Sequence, residues 1–435
     1  MLDATDPLTG ADSHHDDECT SISSSRPLIL VTDCHPTILS RTTVGKEEDG
    51  AVMYIGPDSL ALVQHLPIQS HLMHLMQHLH LHLNKKKKRN NFQILDFCTG
   101  SGVQALATLM SLENVDPGAT AVCVDVNDRA LRFTKFNALL NGIDGGRVHT
   151  IKADLISGKL LDPRDASNCN CFNSRKEQDG MAPSILDILL KGAPATNSQI
   201  IPTGPFDIIL ANPPFIPTPS AGDDTSDGIS KRYGLFSSGG SSGEEVLQSI
   251  VSMSSRLLRK EDGLLAIVSE FMNPPTTNTN HPTEDEAELN AELLQKMSHW
   301  WQDAITEGEE TTASIISRTK GKGILFTNEQ PVSASTYASR RADDASEYTT
   351  WLQHLETCNI HCVSPGQLYI RTTGDDARSR NSSDAPPQPL HLTYRLVPKD
   401  DELGSIWTPY NHKAVAYTRR EWESVMMNIR TDRLE

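Results

Sequence analysis

Asn212, Pro213, Pro214 and Phe215 follow directly on the apolar run Phe206-Asp207-Ile208-Ile209-Leu210-Ala211. The run is short and holds β-branched residues, which predicts a buried strand. The prolines end it, because neither donates a backbone hydrogen bond and both fix φ. The expected product is a stiff loop at the carboxyl end of a strand, where open α/β sheets bind ligands. Asn212 brings a carbonyl oxygen that accepts a hydrogen bond, and Phe215 brings a flat face. That pair suits a planar amino group, such as a carboxamide or the edge of a nucleobase.

A second constellation lies upstream. Gly100-Ser101-Gly102-Val103-Gln104-Ala105 fits G-x-G-x-x-A after the apolar run Phe92 to Cys98, and Asp125 follows about twenty residues further on. Glycines in such a turn let backbone N–H groups approach a cofactor closely. An acid at the end of the second strand can accept from ribose hydroxyls. Alone, the pattern suits a nicotinamide or flavin dinucleotide equally well, so a dinucleotide-dependent oxidoreductase is one reading.

The elements that must position these residues alternate in type. Strands are expected at Phe92–Cys98, Ala119–Val126, Val148–Ala153, Phe206–Ala211 and Gly263–Phe271. Helices are expected at Val103–Ser111, at Asp128–Leu140 (capped by Asn127 and closed by Asn141-Gly142), at Glu244–Leu258 and at Glu284–Ala304. Later strands are expected at Gly323–Phe326, Ile360–Val363, Leu368–Thr372 and Leu392–Val397, with a helix near Ala345–Thr357. This alternation predicts an α/β fold with a doubly wound, mostly parallel sheet and helices on both faces. Residues 1–26 read as a disordered tail, 27–91 as a leader with helical content and 92–435 as the main domain. Polar, aperiodic insertions are expected at about 157–203 (with a short helix at Ile185–Leu190), 217–243, 273–283 and 373–390.

Two details sharpen the chemistry. Asp96 stands four residues before Gly100, and the Asn-Pro-Pro-Phe tetrapeptide follows the fourth strand. Asp96-Phe97-Cys98-Thr99-Gly100-Ser101-Gly102, with Asn212-Pro213-Pro214-Phe215-Ile216-Pro217-Thr218, resembles the class I S-adenosylmethionine-dependent methyltransferases of the amino-methylating branch. Within it the chain is most similar to the glutamine methyltransferases of release factors and ribosomal proteins, and to the small-domain RNA methyltransferases. The resemblance spans about residues 92–272, and Cys98 stands where many class I enzymes carry glycine. It implies a Rossmann-like seven-stranded sheet and S-adenosyl-L-methionine as cofactor. It further implies that Asp96 and the Thr99-Gly100-Ser101-Gly102 turn line the methionine end, and that Asp125 holds the ribose hydroxyls. Asp154 would face the adenine amino group, with Leu155 beside it. Asn212 and the Pro213 carbonyl would accept from the target NH₂, Pro214 would stiffen the loop, and Phe215 would stack on the target.

Composition bounds the partners. A formal net charge of -17 argues against broad, non-specific binding to nucleic acid or anionic membrane. No apolar run reaches the 18 or so residues of a membrane span. The expected partner is a protein substrate, a release factor or ribosomal protein carrying a reactive glutamine. The alternative is an exocyclic amine of adenine or guanine in structured RNA or in DNA. A non-catalytic subunit that keeps the fold is a further reading, against which the presence of Asn212 counts. Free cysteines without a secretory signal point to a reducing, cytoplasmic setting. The basic block Lys85–Arg89 suits a nuclear signal or phosphate contacts, or simply a charged loop.

No metal site is expected. Cys169/Cys171 and Cys358/Cys362 lack paired C-x-x-C spacing, and the row His71, His74, His78 and His82 has no carboxylate or thiol beside it. In the leader, Tyr54-Ile55-Gly56-Pro57-Asp58-Ser59-Leu60 predicts a rigid turn capped by Asp58 or Ser59. It would open a helix from about Leu60 to Leu83, broken at Pro67. This turn is the part of the leader expected to meet the cofactor pocket.

Overall fold

A computed structural model describes residues 27–32, 55–68, 71, 91–161, 184–191, 201–219, 237–274, 284–302, 319–374, 390–397, 405–408 and 412–431. The tail, the block Lys85–Arg89, most of the histidine row, Cys169, Cys171 and most of the expected insertions lie outside these residues.

The parallel half of the sheet holds β1 (Gln93–Phe97), β2 (Thr120–Asp125), β3 (Val148–Asp154), β5 (Ile208–Ala211) and β6 (Leu264–Met272). The other half holds β7 (Lys320–Asn328), β9 (Cys362–Thr373) and β10 (Leu390–Val397), with two-residue strands β4 (Lys159–Leu160) and β8 (Val332–Ser333) at the margins. The order is β10-β7-β9-β6-β5-β1-β2-β3-β4, and β8 pairs with β9. Strands β3, β2, β1, β5 and β6 run parallel, while β9 runs antiparallel between β6 and β7.

Among the described residues the sheet therefore carries ten strands where seven are expected. Two-residue strands are too short to show a period-2 pattern, so β4 and β8 leave no sequence signal. The separate strands expected at 360–363 and 368–372 are one strand, β9. Its Pro365 lies just past the last β7 pair, Gly366 with Thr327, so the missing N–H interrupts no ladder on that side.

Alternation along each strand divides the core into two layers. Ile94, Cys123, Ile208, Leu210 and Leu264 face one side. There they meet α1 (Pro57–His65), α2 (Val103–Ser111), α3 (Asp128–Leu140) and α9 (His412–Thr431). Leu95, Phe97, Val124, Ile209 and Leu265 face the other side, toward α4 (Ile185–Lys191), α5 (Glu245–Leu257) and α6 (Glu284–Gln302). A third cluster joins Met272 at the end of β6 to α7 (Ala334–Arg341) and α8 (Ala345–Thr357) through Tyr337, Trp351 and Leu355. Buried on both faces, the central strands read as continuous apolar runs.

From β1 the chain winds outward through β2 and β3, then returns to β5 on the other flank of β1. That reversal opens a crevice at the carboxyl ends of β1 and β5, the ligand position of doubly wound sheets. Phe97 pairs with both Val124 and Ala211, so the residues that follow leave the sheet side by side. The leader closes one wall. Helix α1 begins with Gly56 as its N-cap and Pro57 in its first turn. Asp58 and Ser59, expected as caps, lie inside the first turn and are buried. Helix α1 ends at His65, before Pro67, because a proline disfavours helical φ/ψ in the residue before it. Helix α9, which packs against it, is held there by His65 Nδ1 and Thr418 Oγ1 at 2.9 Å, and by Arg419, which donates to the Gln64 carbonyl at 2.9 Å.

Candidate active site

The glycine turn is built from left-handed backbone. Cys98, Gly100 and Gly102 have φ of 55°, 55° and 86°. A Cβ on Gly102 would meet Thr134 Cγ2 at 2.9 Å, whereas one on Gly100 would have nothing within 4 Å. Gly102 is thus required by packing. Gly100 leaves an open approach to the backbone, as a bound cofactor needs. Side chains of α3 brace the turn. Thr134 Oγ1 donates to the Gly100 carbonyl at 3.0 Å, and Asn137 Nδ2 donates to the Ser101 carbonyl at 2.9 Å. Asn137 also holds the leader, accepting from Val31 N at 2.8 Å and donating to the Val31 carbonyl at 2.9 Å.

Three acids stand at the carboxyl ends of β1, β2 and β3, and two of them, Asp96 and Asp125, touch the turn. Asp96 is fully buried at the end of β1; its Oδ2 accepts from Thr99 Oγ1 at 2.6 Å, and its Oδ1 has no hydrogen-bond partner among the described residues. Burial pushes its pKa up to about 7 against the Thr99 bond, and the neighbouring Asp125 charge adds to the rise. Asp125, at the end of β2, accepts from Gly100 N through Oδ2 and from Asn127 N through Oδ1, both at 2.9 Å. Burial raises its pKa, with these backbone donors opposing. Asp154, at the end of β3, accepts from Ile156 N at 2.9 Å, with Leu155 buried beside it. An unpartnered carboxylate oxygen on Asp96, an open glycine at 100 and the Asp125 carboxylate beside it suit a cation that carries N–H and hydroxyl donors.

Asn212 stands at the end of β5. Its Nδ2 donates to Asp58 Oδ2 at 2.8 Å and to Ser59 Oγ at 2.9 Å. Asp58 is 3% exposed, and its Oδ1 has no partner among the described residues. Burial raises its pKa, and the bond from Asn212 opposes that rise. Phe215 packs on Trp407 with ring centroids 5.5 Å apart. The loop beyond it is clamped by backbone: Ile216 N donates to the Ser237 carbonyl, and Gly239 N to the Ile216 carbonyl. A Cβ on Gly239 would come within 2.8 Å of Phe215 Cα and the Pro214 carbonyl, and one on Gly243 within 2.5 Å of the Phe215 carbonyl. At the end of β6, Glu270 accepts from Tyr337 Oη at 2.7 Å and from Arg341 Nη2 at 3.2 Å. Burial raises the Glu270 pKa, Arg341 lowers it, and the Asp58 charge contributes to the rise.

The structure thus gathers the sequence-expected residues at the carboxyl ends of four adjacent strands, and adds Asp58, Ser59, Trp407 and Glu270. The leader turn was expected at the cofactor pocket, where Asn212 was also expected to take part; it reaches the site through Asn212. A polar first turn, Asp58-Ser59, was its only signal. Trp407 lies in a polar stretch and carried no pattern beyond its residue type. Among the described residues no cluster of His, Cys, Asp or Glu is arranged to hold a metal ion, and no helix is long and apolar enough to cross a membrane.

No protein-family model matches the chain. Over 174 residues it is 25% identical to the release factor glutamine methyltransferase of Mycobacterium tuberculosis (strain ATCC 25618 / H37Rv), covering 40% of this chain and 42% of that protein. The chain therefore spans under half the length of this curated relative. Among solved structures, YcgJ of Bacillus subtilis shares 12% identity over 68% of this chain and 98% of that one, at a TM-score of 0.30. A class I S-adenosylmethionine-dependent methyltransferase, so described as putative, from Listeria monocytogenes shares 13% over 76% and 66%, also at 0.30. At that overlap neither adds to what the strand order carries. The strand order itself makes the fold a doubly wound, Rossmann-like α/β fold.

Proposed function

We propose that the chain is an S-adenosylmethionine-dependent N-methyltransferase acting on a planar amino group, with a protein glutamine side-chain amide as the acceptor. The observation that carries this reading is the orientation of Asn212. Both of its N–H groups are engaged on the leader side, which leaves its carbonyl oxygen as the acceptor for an incoming NH₂ beside the glycine turn. The curated relative, whose name gives glutamine in a release factor as its target, supports the choice. The net charge of -17 favours a protein partner, such as a release factor or ribosomal protein, over bare nucleic acid.

When bound, S-adenosylmethionine would supply an electrophilic methyl on a sulfonium, with S-adenosylhomocysteine as the leaving group that keeps the S–C electron pair. Asp96 and the turn from Thr99 to Gly102 bind the methionine end, with Asp96 Oδ1 free for an ammonium. Asp125 holds the ribose hydroxyls; Asp154 and Leu155 hold the adenine. Asn212 Oδ1 and the Pro213 carbonyl accept the two target N–H groups and draw the nitrogen lone pair out of conjugation. That lone pair forms the new N–C bond, and the nitrogen gives one proton to water. Pro214 fixes the loop, and Phe215, backed by Trp407, stacks on the planar acceptor. Rate enhancement here is positioning and electrostatics.

The test is transfer of labelled methyl groups to a cell extract, followed by separate protease and nuclease digestion. Label released by protease and recovered as methylglutamine is the expected result. Label released by nuclease moves the acceptor to a nucleobase amine. No label in either fraction, or full transfer by an Asn212→Ala variant, refutes the proposal. Binding of a nicotinamide cofactor without binding of S-adenosylhomocysteine would point to an oxidoreductase.

A further inference from the structure

We propose, resting on the methyltransferase reading above, that Asp58 and Ser59 are positioning residues of the acceptor site, holding the Asn212 carboxamide so that its oxygen faces the incoming amino group. A primary amide has two N–H donors on one arm and one oxygen on the other, and either arm can point either way. Here the leader removes that freedom. Asp58 Oδ2 lies 2.8 Å and Ser59 Oγ 2.9 Å from Asn212 Nδ2. The reversed amide would set its oxygen against Asp58 Oδ2, acceptor against acceptor. Oδ2 can accept from Asn212 whether or not Oδ1 carries a proton.

Among the described residues, Asn212 is the one side chain that hydrogen-bonds to both of these buried residues. Asp58 and Ser59 are 3% and 7% exposed in the first turn of α1, and Gly56, not either of them, is the N-cap. Polar groups buried there require partners, and Asn212 is the partner they share. The helix that presents them is itself fixed by Leu62 in the core, by the His65–Thr418 contact and by Arg419 on the Gln64 carbonyl. An acidic acceptor on the amide nitrogen also polarises the carboxamide and leaves more negative charge on its oxygen. The oxygen then grips harder as the target nitrogen turns positive during transfer. The acceptor site is therefore shared between the β5 loop and the leader, and is incomplete without residues 56–59.

The test compares the full chain with Asp58→Ala, Ser59→Ala, Asn212→Ala and the double variant Asp58→Ala/Asn212→Ala. Three readouts apply: affinity for S-adenosylhomocysteine, the rate of labelled methyl transfer to extract protein, and the Asn212 side-chain amide signal in ¹⁵N spectra, assigned by its loss in Asn212→Ala. Leaving a buried amide N–H without its acceptor lowers transfer about 10- to 100-fold. That is the expectation for Asp58→Ala, with a smaller loss for Ser59→Ala and S-adenosylhomocysteine affinity within about twofold of the parent. In the Asn212→Ala background, Asp58→Ala should cost nothing further. The slow exchange of the Asn212 amide protons should vanish in Asp58→Ala. An equal loss with and without Asn212 overturns the proposal, as does an amide signal indifferent to Asp58→Ala. An unfolded Asp58→Ala would shift the decision to Ser59→Ala, which must then show the same coupling to Asn212. If even the parent transfers no methyl while its amide signal depends on Asp58, the methyltransferase reading falls and the positioning geometry stands.

Discussion

Replacing Asp96 by asparagine should stabilise the cofactor-free protein in alkaline solution while weakening its hold on S-adenosylmethionine. The folded protein holds the Asp96 proton up to about pH 7, against an ordinary value of 3.8. Between those values the folded form binds more protons than the unfolded form, so stability falls as pH rises through the window and levels off above it. The window spans roughly three pH units, and at about 1.4 kcal/mol per unit the ionised carboxylate costs the fold up to about 4 kcal/mol. Asparagine removes that cost and can still accept from Thr99 Oγ1. Denaturant melts of parent and Asp96→Asn at pH 5 and pH 8 measure the difference. The gain should be about 1.5 kcal/mol at pH 5, only about 1.2 units into the window, and about 4 kcal/mol at pH 8. Titration with S-adenosylmethionine should show the opposite ordering, because the cation loses its counter-charge. A gain that is the same at both pH values, or absent at pH 8, refutes the account of Asp96 as a desolvated carboxylate held for a cationic ligand.

The two turn glycines should separate stability from binding. Gly102→Ala combines φ of 86° with a 2.9 Å clash on Thr134 and should lose roughly 1–3 kcal/mol in a thermal melt. Gly100→Ala has room for its methyl, so it should lose about 1 kcal/mol of stability yet bind S-adenosylhomocysteine at least about tenfold more weakly by calorimetry. Trp407→Ala removes the ring behind Phe215, a contact worth about 0.5–1.5 kcal/mol beyond its area; the acceptor KM should rise while cofactor affinity holds. His65 is buried, and burial with the Arg419 charge lowers its pKa to about 3. The unfolded chain therefore takes up this proton first as pH falls below 6.5, and stability drains away between there and about pH 3. His65→Gln should unfold at a lower pH than the parent, followed by circular dichroism.

Much of this was legible because it is local. Helix α3 opens at Asn127 and closes at Asn141 as its cap residues predict, and the expected short helix is α4, Ile185–Lys191. The parallel strands announce themselves as apolar runs because both faces are buried. Helices α7 and α9 were not anticipated. Nor was the unbroken passage of β9 through Pro365 and Gly366, since a proline-glycine pair reads as a turn until its neighbours in the sheet are known. Ser59 and Asp58 were expected to cap a helix because their side chains favour that role when nothing else claims them; Asn212 claims them here.

The two halves of the site differ in the same way. The cofactor half is closed by contacts of short span: Thr99 to Asp96 across 3 residues, Gly100 to Asp125 across 25, Thr134 to Gly100 across 34. A motif with fixed spacing can encode such contacts, and here it does. The acceptor half is closed by Asn212 to Asp58 across 154 residues, and by Trp407 from late in the chain against Phe215. No spacing rule reaches that far. Under the proposed reading the tetrapeptide supplies the grip on a planar amino group, while the contact that orients Asn212 comes from the leader and the ring against Phe215 comes from Trp407, late in the chain. If the proposed function holds, substrate choice rests on segments that meet only when the sheet is assembled, and substitutions at Asp58 or Trp407 should alter acceptor use while leaving S-adenosylhomocysteine binding as it is.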